Sequence, residues 1–468
     1  LIQDIKPYPA YKDSCVPWLG DVPEHWRIQS LGSITTAKSK RGRPDLPLLS
    51  VVREKGVIPR ASMLDEENHN FIPDDLSNYK VAEEGDLVIN KMKAWQGSLG
   101  LAPMDGIVSP AYYVFDLQME DKKFGQVLLR SRPYVGFFAQ ASDGVRVGQW
   151  DLSIDGMKRI PVVFPPADEQ SAIVRFLDLS DRRIRRLIRV KRQMIGLLNE
   201  QKQGIIHQAV TRGLDPDVRL KSSGVEWLGD VPEHWEVWQV SHFAKVGNGS
   251  TPSRGNQAYW SEGNYPWLNS SCANLSYISG ANQFVTDLAL RECHLPKVQP
   301  GSVLVAITGQ GKTRGKATVL GIEATINQHI AYITPRQEMV SAEYLSLFLF
   351  GAYSQLRAIS DDSGSTKGAL TCQDLKHFKV TLPPIAEQTR IVHAIQTMTS
   401  QLEAAIDRAQ SEIDLIREYR TRLITDVVTG KLDVRGVAVE AVEEELEDLL
   451  DTDDTDSEEM GADEAEEE

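Results

Sequence analysis

The chain has 468 residues, 41% of them hydrophobic, enough for two to four domains with ample core. Its mean hydropathy is −0.30, and no apolar run approaches the ~20 residues that a membrane-spanning helix needs. The formal charge of −15 is a local property, because 17 of the 66 acidic residues lie between Glu440 and Glu468 without a Lys or Arg, leaving 49 against 51 basic residues elsewhere. Cys15, Cys272, Cys293 and Cys372 form no C-x-x-C pair, which excludes a zinc knuckle and a disulfide framework and points to a reducing cytoplasm.

Residues 1–26 form a lead segment that lacks the apolar core of a signal peptide. It opens on Leu1, so a few residues are expected to precede it, and it ends on WLGDVPEHW, Trp18–Trp26. Residues 27–160 form a first globular segment. In it Lys38 to Arg43, with Arg53, is a basic stretch among turn residues, and Asn90 to Gln96 is a polar, basic loop after the strand-like DLVI. Arg146 and Gln149 fall in a later loop.

A helical region, 161–222, begins after Pro165-Pro166. Leu177, Ile184, Leu187, Met194, Leu198 and Ile205 alternate by steps of three and four, broken by Ser180, Lys191 and Gln201. The pattern predicts a helix from Ala167 to about Gln208, ~40 residues and ~60 Å long. Arg182, Arg183, Arg185, Arg186, Arg189, Lys191 and Arg192 crowd it, with only Asp178 and Asp181 close by. They are either a solvated face or a stripe turned toward phosphates or a partner.

The chain then repeats itself. WLGDVPEHW returns at Trp227–Trp235, 209 positions on, and PPADEQSAIV at Pro165 is answered by PPIAEQTRIV at Pro383, 218 positions on. The second globular segment, 223–378, therefore holds nine more residues before Gly315, the partner of Gly97. SPAYYVF at Ser109 matches NQHIAYI at Asn327, each a turn feeding a strand. The polar loop residues differ between copies, so two copies of one scaffold are expected to recognise two different things. A second helical region, 379–436, carries a cleaner seam at Leu402, Ile406, Ala409, Ile413, Ile416, Leu423 and Val427. Pairing the two seams antiparallel buries both and suits the pseudo-twofold repeat. Residues 437–468 are too acidic and apolar-poor to fold and read as a disordered tail.

Several enzyme signatures fail. AITGQGKT, Ala306–Thr313, fits a relaxed phosphate loop, yet the sequence after it has no helical periodicity, and a phosphate loop must open into a helix. There is no NPPY-type methyltransferase tetrapeptide, no E-x-K follows the Pro-Asp pairs at short range, and His207, His294 and His377 lack ligand partners. The chain is expected to be catalytically silent.

The VPEHW motif, the P-P-x-x-E-Q helix start, the AVTRGLDPDVRLKSSGVEWLG junction and the VVTGKLDVR ending resemble the specificity subunit of type I restriction-modification enzymes, over about Trp18 to Gly436. That resemblance implies an α+β chain with two pseudo-symmetric globular α/β target-recognition domains, separated by two long helices packed as an antiparallel coiled coil. Each domain would read one half of a split, asymmetric duplex target. Arg, Gln and Asn make bidentate contacts to base edges, and Lys holds phosphates. The candidate DNA contacts are therefore Lys38, Lys40, Arg41, Arg43, Asn90, Lys91, Lys93, Trp95, Gln96, Arg146 and Gln149 in the first domain. In the second they are Thr251, Arg254, Asn256, Gln310, Lys312, Thr313, Arg314, Asn327, Gln328, Ser365, Thr366 and Lys367.

The family also implies two methyltransferase subunits and nuclease-translocase subunits as partners. Glu169, Gln170, Arg182, Arg186, Glu387 and Gln388 are the candidate partner contacts. S-adenosylmethionine, ATP and Mg²⁺ are expected in those partners, with no cofactor or metal in this chain. An orphan or related split-site complex is an alternative, and so is a coiled-coil scaffold that never touches DNA. The polar Gly/Ser/Asn/Lys loops favour nucleic acid over the scaffold.

Overall fold

The computed structural model describes residues 5–62, 73, 75–146, 149–309, 313–361 and 368–437. The chain divides into two compact units: residues 1–190 with 412–468, and residues 191–411. Both divisions fall inside long helices, so each unit contains part of each helix.

In the first unit a four-stranded antiparallel sheet runs in the order Thr35–Lys38, Tyr112–Leu117, Leu87–Asn90, Leu99–Leu101. The central strand LVIN is buried along its whole length, as its apolar run predicts. A separate ladder joins Arg27–Ser30 to Pro161–Phe164, so the segments that open and close the globular region are stitched together. Two nine-residue helices, Lys122–Arg130 and Arg132–Gln140, cover the sheet. Asp121 caps the first by accepting from the N–H groups of Lys123 and Phe124. Trp26, Leu31, Phe124, Tyr134, Phe138 and Phe176 fill the core, each contributing on the order of 2–3 kcal/mol by burial.

The second unit repeats this frame. Glu236–Gln239 pairs with Lys379–Leu382, the same closing ladder. The main sheet runs Ala244–Asn248, Ile330–Pro335, Ser302–Ala306, Ala317–Leu320, with Tyr277–Ile278 added in parallel at its edge. The turns before Leu99 and Ala317 both need a left-handed residue, supplied by Gly97 at φ 87° and Gly315 at φ 89°. The second unit also carries a small second sheet, Gln283–Val285, Tyr265–Leu268, Thr325–Ile326, over a core of Trp267, Val285 and Leu290.

The helices begin where the proline pairs allow, at Ala167 and Ile385. They run 46 and 44 residues, to Arg212 and Val428, several residues longer than the periodicity predicted. In the first unit Ile173, Phe176 and Leu177 share a core with Leu423, Val427 and Val428, and Arg420 Nε donates to Asp181 Oδ1 at 2.5 Å. In the second unit Ile206, Ala209 and Val210 share a core with Ile391 and Ile395, and Lys202 Nζ lies 2.6 Å from Glu403 Oε1. Early residues of one helix meet late residues of the other, which is antiparallel pairing.

Each residue of the second helix's predicted seam is buried or half-buried. The first helix departs from its predicted seam: Leu187 and Met194 are 45% and 40% exposed, while Leu179 and Ala209 are buried. The polar breaks at Ser180, Lys191 and Gln201 mark where a single stripe fails to persist. The acidic tail beyond Val437 lies outside the described residues.

Candidate nucleic-acid interface

Strand register places the candidate loops. In the first sheet Lys38, Asn90 and Leu99 lie at or next to one end, because Val114 pairs with Lys38, Tyr112 with Asn90, and Ile89 with Leu99. The hairpin Ser142–Arg146/Gln149–Leu152 is drawn to this same end. Leu152 N–H donates to Lys91 O at 2.8 Å, and the Trp95 and Trp150 rings stand 5.1 Å apart. In the second sheet the pairs Asn248–Ala331, Ala306–Ile330 and Val305–Ala317 put the segments after Asn248, after Ala306 and before Ile330 at one end. Leu370 N–H donates to Ile307 O at 2.8 Å, bringing the 368–371 segment to it. Loops far apart in sequence thus converge on one sheet end in each unit.

The convergence at the first sheet is cationic. Lys80 Nζ donates to Tyr112 O at 2.5 Å, and its pKa is depressed by burial and by the nearby charges of Arg41 and Lys91. These charges, that of Lys91 partly offset within the protein, give this sheet end a positive potential that favours an anion. Arg41 and Lys93 are exposed and make no side-chain hydrogen bond or ion pair among the described residues. Lys91 bonds Asp151 Oδ2 at 2.9 Å, which raises its pKa, and Trp95 Nε1 donates to Met92 O at 3.1 Å. Gln96 is half-buried beside them.

Other candidates serve the protein itself. Lys38 donates to Asp86 at 2.7 Å and Glu83 at 2.8 Å, which holds its ammonium well above the ordinary range, and Lys40 stands 3.8 Å from Glu83. Arg43 forms a two-pronged pair with Asp45. Asn90 is buried and shapes the turn by accepting from Met92 N–H at 3.2 Å. Arg146 and Gln149 lie on strands rather than in a loop, as register partners across the hairpin; their side chains are outside the described residues.

In the second unit Thr251 Oγ1 donates to Gln328 Oε1 at 2.5 Å, Gln328 Nε2 donates to His329 Nε2 at 3.1 Å, and His329 Nδ1 meets Thr308 Oγ1 at 2.7 Å. This chain ties three separate loops together. Asn327, buried, accepts from His329 N–H and braces it. Arg254 packs its guanidinium 3.9 Å from the Trp260 ring centre and 4.9 Å from that of Trp267 while donating to Gln283 at 2.8 Å. Asn256 caps the turn at Gln257 by accepting from Ala258 N–H. Arg314 is buried and donates to Gly368 O, and Thr313 is half-buried beside it. Gln310, Lys312, Ser365, Thr366 and Lys367 lie outside the described residues. Ser302–Ala306 returns through Gly315 into another strand, so the phosphate-loop motif leads to a β-hairpin rather than a helix.

The candidate partner contacts divide. Glu169 accepts from Trp26 Nε1 at 2.9 Å, from Tyr8 Oη, and pairs with His25 at 2.8 Å. Gln170 donates to Pro165 O and accepts from Asp121 N–H, and Gln388 likewise joins Pro383 O, Met339 O and Ser341 N–H. The repeated Glu-Gln is therefore an internal latch between a helix start and its globular region, and its burial leaves no side-chain surface for a partner, save at Glu387. Arg182 is exposed and Arg186 half-buried on the first helix. Sequence reasoning placed His329 in a candidate loop but missed Lys80, Trp150, Thr308 and Tyr8, which no local pattern distinguishes.

Among the described residues no group of His, Cys, Asp and Glu could hold a metal ion, and no helix is long and apolar enough to cross a membrane. The family profile described as "Type I restriction modification DNA specificity domain" matches residues 232–409. The type I restriction enzyme MjaVIII specificity subunit of Methanocaldococcus jannaschii is 21% identical over 437 residues, 89% of this chain and 95% of that one. The chain is similar to the specificity subunits of type I restriction-modification systems along most of its length, and residues 232–409 match their specificity-domain profile. The EcoR124I/EcoR124II specificity subunit of Escherichia coli is 20% identical over 285 residues, 59% of this chain and 64% of that one. A chain solved in work on complex assembly and conformational transition of the type I R-M system shares the fold, with a TM-score of 0.59 at 18% identity, covering 88% of this chain and 99% of that one.

Proposed function

We propose that each globular unit reads one half of a split, asymmetric duplex DNA target, through the loops gathered at one end of its main sheet. The observation that carries this is the cluster of Arg41, Lys80 and Lys91, built from three stretches of sequence: Arg41 and Lys80 are backbone bridge partners, and Lys80 Nζ reaches Tyr112 O, whose residue pairs with Asn90 next to Lys91. Cations so placed hold phosphates, while neighbouring side chains reach base edges. The second unit meets its half-site with a different set, the Thr251–Gln328–His329 chain and the residues around it. Different sets on one frame give an asymmetric target.

The helical regions would set the gap between half-sites and carry two methyltransferase subunits, with Arg182, Arg186 and Glu387 the candidate contacts left on the surface. Adenine methylation, with base flipping, and ATP-driven cleavage would belong to methyltransferase and nuclease-translocase partners. The test is a genome-wide map of N6-methyladenine with and without this gene. One split, asymmetric motif should lose its methylation on deletion; an unchanged map in cells where the partners are expressed would overturn the reading.

A further inference from the structure

The two units differ at one buried polar site. In the first, Glu169 is 2% exposed and its carboxylate is held by Tyr8, His25 and Trp26, while Arg435 lies 5.0 Å from the centre of the Tyr8 ring. The second unit keeps the frame: His234 Nε2 bonds Glu387 Oε2 at 2.9 Å, and Trp235 is as fully buried as Trp26. Gly213 and Gly430, at φ 78° and 79°, turn the chain against these two tryptophans. What is missing is a counterpart of Tyr8. That residue reaches its place on the lead segment, three positions before Tyr11; the equivalent position before Leu220 holds Asp217 instead of a tyrosine.

Three features mark the gap. Trp235 Nε1 is buried without a hydrogen-bond partner, although the equivalent Trp26 Nε1 donates to its glutamate. Glu387 keeps 18% exposure. A cavity of about 270 Å³ opens beside it, lined also by Arg212, Asp215, Val218, His234 and Arg390. Arg212 and Arg390 make no side-chain hydrogen bond or ion pair among the described residues. The size is below the roughly 300–1,000 Å³ of small-molecule pockets and suits one side chain. Two arginines balanced by two carboxylates favour a neutral group that donates a hydrogen bond over an anion.

We propose that this cavity receives a tyrosine side chain from another polypeptide, its hydroxyl donating to Glu387 and its ring lying against a cavity arginine, as Tyr8 does within the first unit. The ring supplies apolar area, and the hydroxyl is both donor and acceptor. The inference stands apart from the DNA-reading proposal, since its probe contains no DNA.

The test uses the full chain labelled with ¹⁵N-indole tryptophan, the Trp235 Nε1–H resonance being assigned by Trp235→Phe. N-acetyl-tyrosinamide should shift that resonance saturably, and N-acetyl-phenylalaninamide should bind at least tenfold more weakly. Val218→Tyr, which offers a phenol from within, should move the resonance without probe and abolish the titration, while Val218→Phe should do neither. A resonance unmoved by the tyrosine amide, or moved equally by both amides, overturns the proposal.

Discussion

The backbone N–H of Asp433 donates to the carbonyl oxygen of Lys6 at 2.9 Å, so the first unit is closed by the two ends of the described chain. Tyr8, two residues on, then reaches Glu169, and Val434 enters the same core. Burial, and the bond to Glu169, push the Tyr8 hydroxyl's pKa far up, so it stays a neutral donor at any working pH. Tyr8→Phe removes one of three donors to a buried carboxylate. It should cost about 1–3 kcal/mol, read as earlier thermal unfolding and faster amide exchange around Trp26, with exchange around Trp235 unchanged.

Lys93 is exposed and unpaired among the described residues, beside a sheet end already rich in cations. Lys93→Ala should weaken binding to target and non-target duplex by the same factor. The slope of log affinity against log salt should fall by about 0.9 for one lost phosphate contact. An altered motif with an unaltered slope would assign Lys93 to base reading instead.

Lys80 gives binding a pH dependence. Burial, Arg41 and Lys91 lower its pKa in the free protein, and a bound phosphate opposes that effect and raises it again, so complex formation takes up a proton. Affinity should therefore fall as pH rises through the lowered pKa of free Lys80, before ordinary lysines titrate. Lys80→Arg should remove that decline, as measured by fluorescence anisotropy from pH 7 to 10.

Exchanging residues 28–151 with those of a relative should change one half-site and leave the other intact. The boundaries lie on the strands Arg27–Ser30, which recurs as Glu236–Gln239 in the second unit, and Gln149–Leu152. Methylation mapping reads the result, and a change in both half-sites would sink the one-unit, one-half assignment.

The helices pair antiparallel, so a spacer change needs both strands of the pair. Seven residues inserted after Gly196, matched by seven near Asp407, should lengthen the gap by about 3 base pairs, from ~10.5 Å of added rise. Insertion in one helix alone should reduce stability, because it shifts the Lys202–Glu403 pairing.

Repetition made the architecture legible. That the two units share a closing ladder and a Gly97/Gly315 turn agrees with the two offsets, 209 and 218. Helix starts were legible from proline pairs, whose chemistry is local. The first helix's seam was not, since its burial depends on which globular region each turn faces, and Leu187 and Leu179 are alike in sequence. The site was legible as loops but not as contacts. Lys38 and Arg43 carry the same charge as Arg41 and Lys93; only folding brings Asp86 to Lys38, and Asp45, two residues from Arg43, is set against it by the local turn. Glu169 and Gln170 had the look of a surface motif because they open a helix, yet tertiary packing turns them inward.

The closure of the first unit by both ends of the described chain has a consequence for biosynthesis. Residues 191–411 are contiguous and can compact as soon as they leave the ribosome, but the first unit waits for Leu423, Val427 and Val434. At ~5–20 residues per second, the stretch from residue 190 to residue 434 takes roughly 10–50 s to synthesise. Throughout that interval the half-built surface around Trp26 and Phe176 is uncovered. The earlier-made unit is thus the later to mature, and it is the one that a holding chaperone would meet.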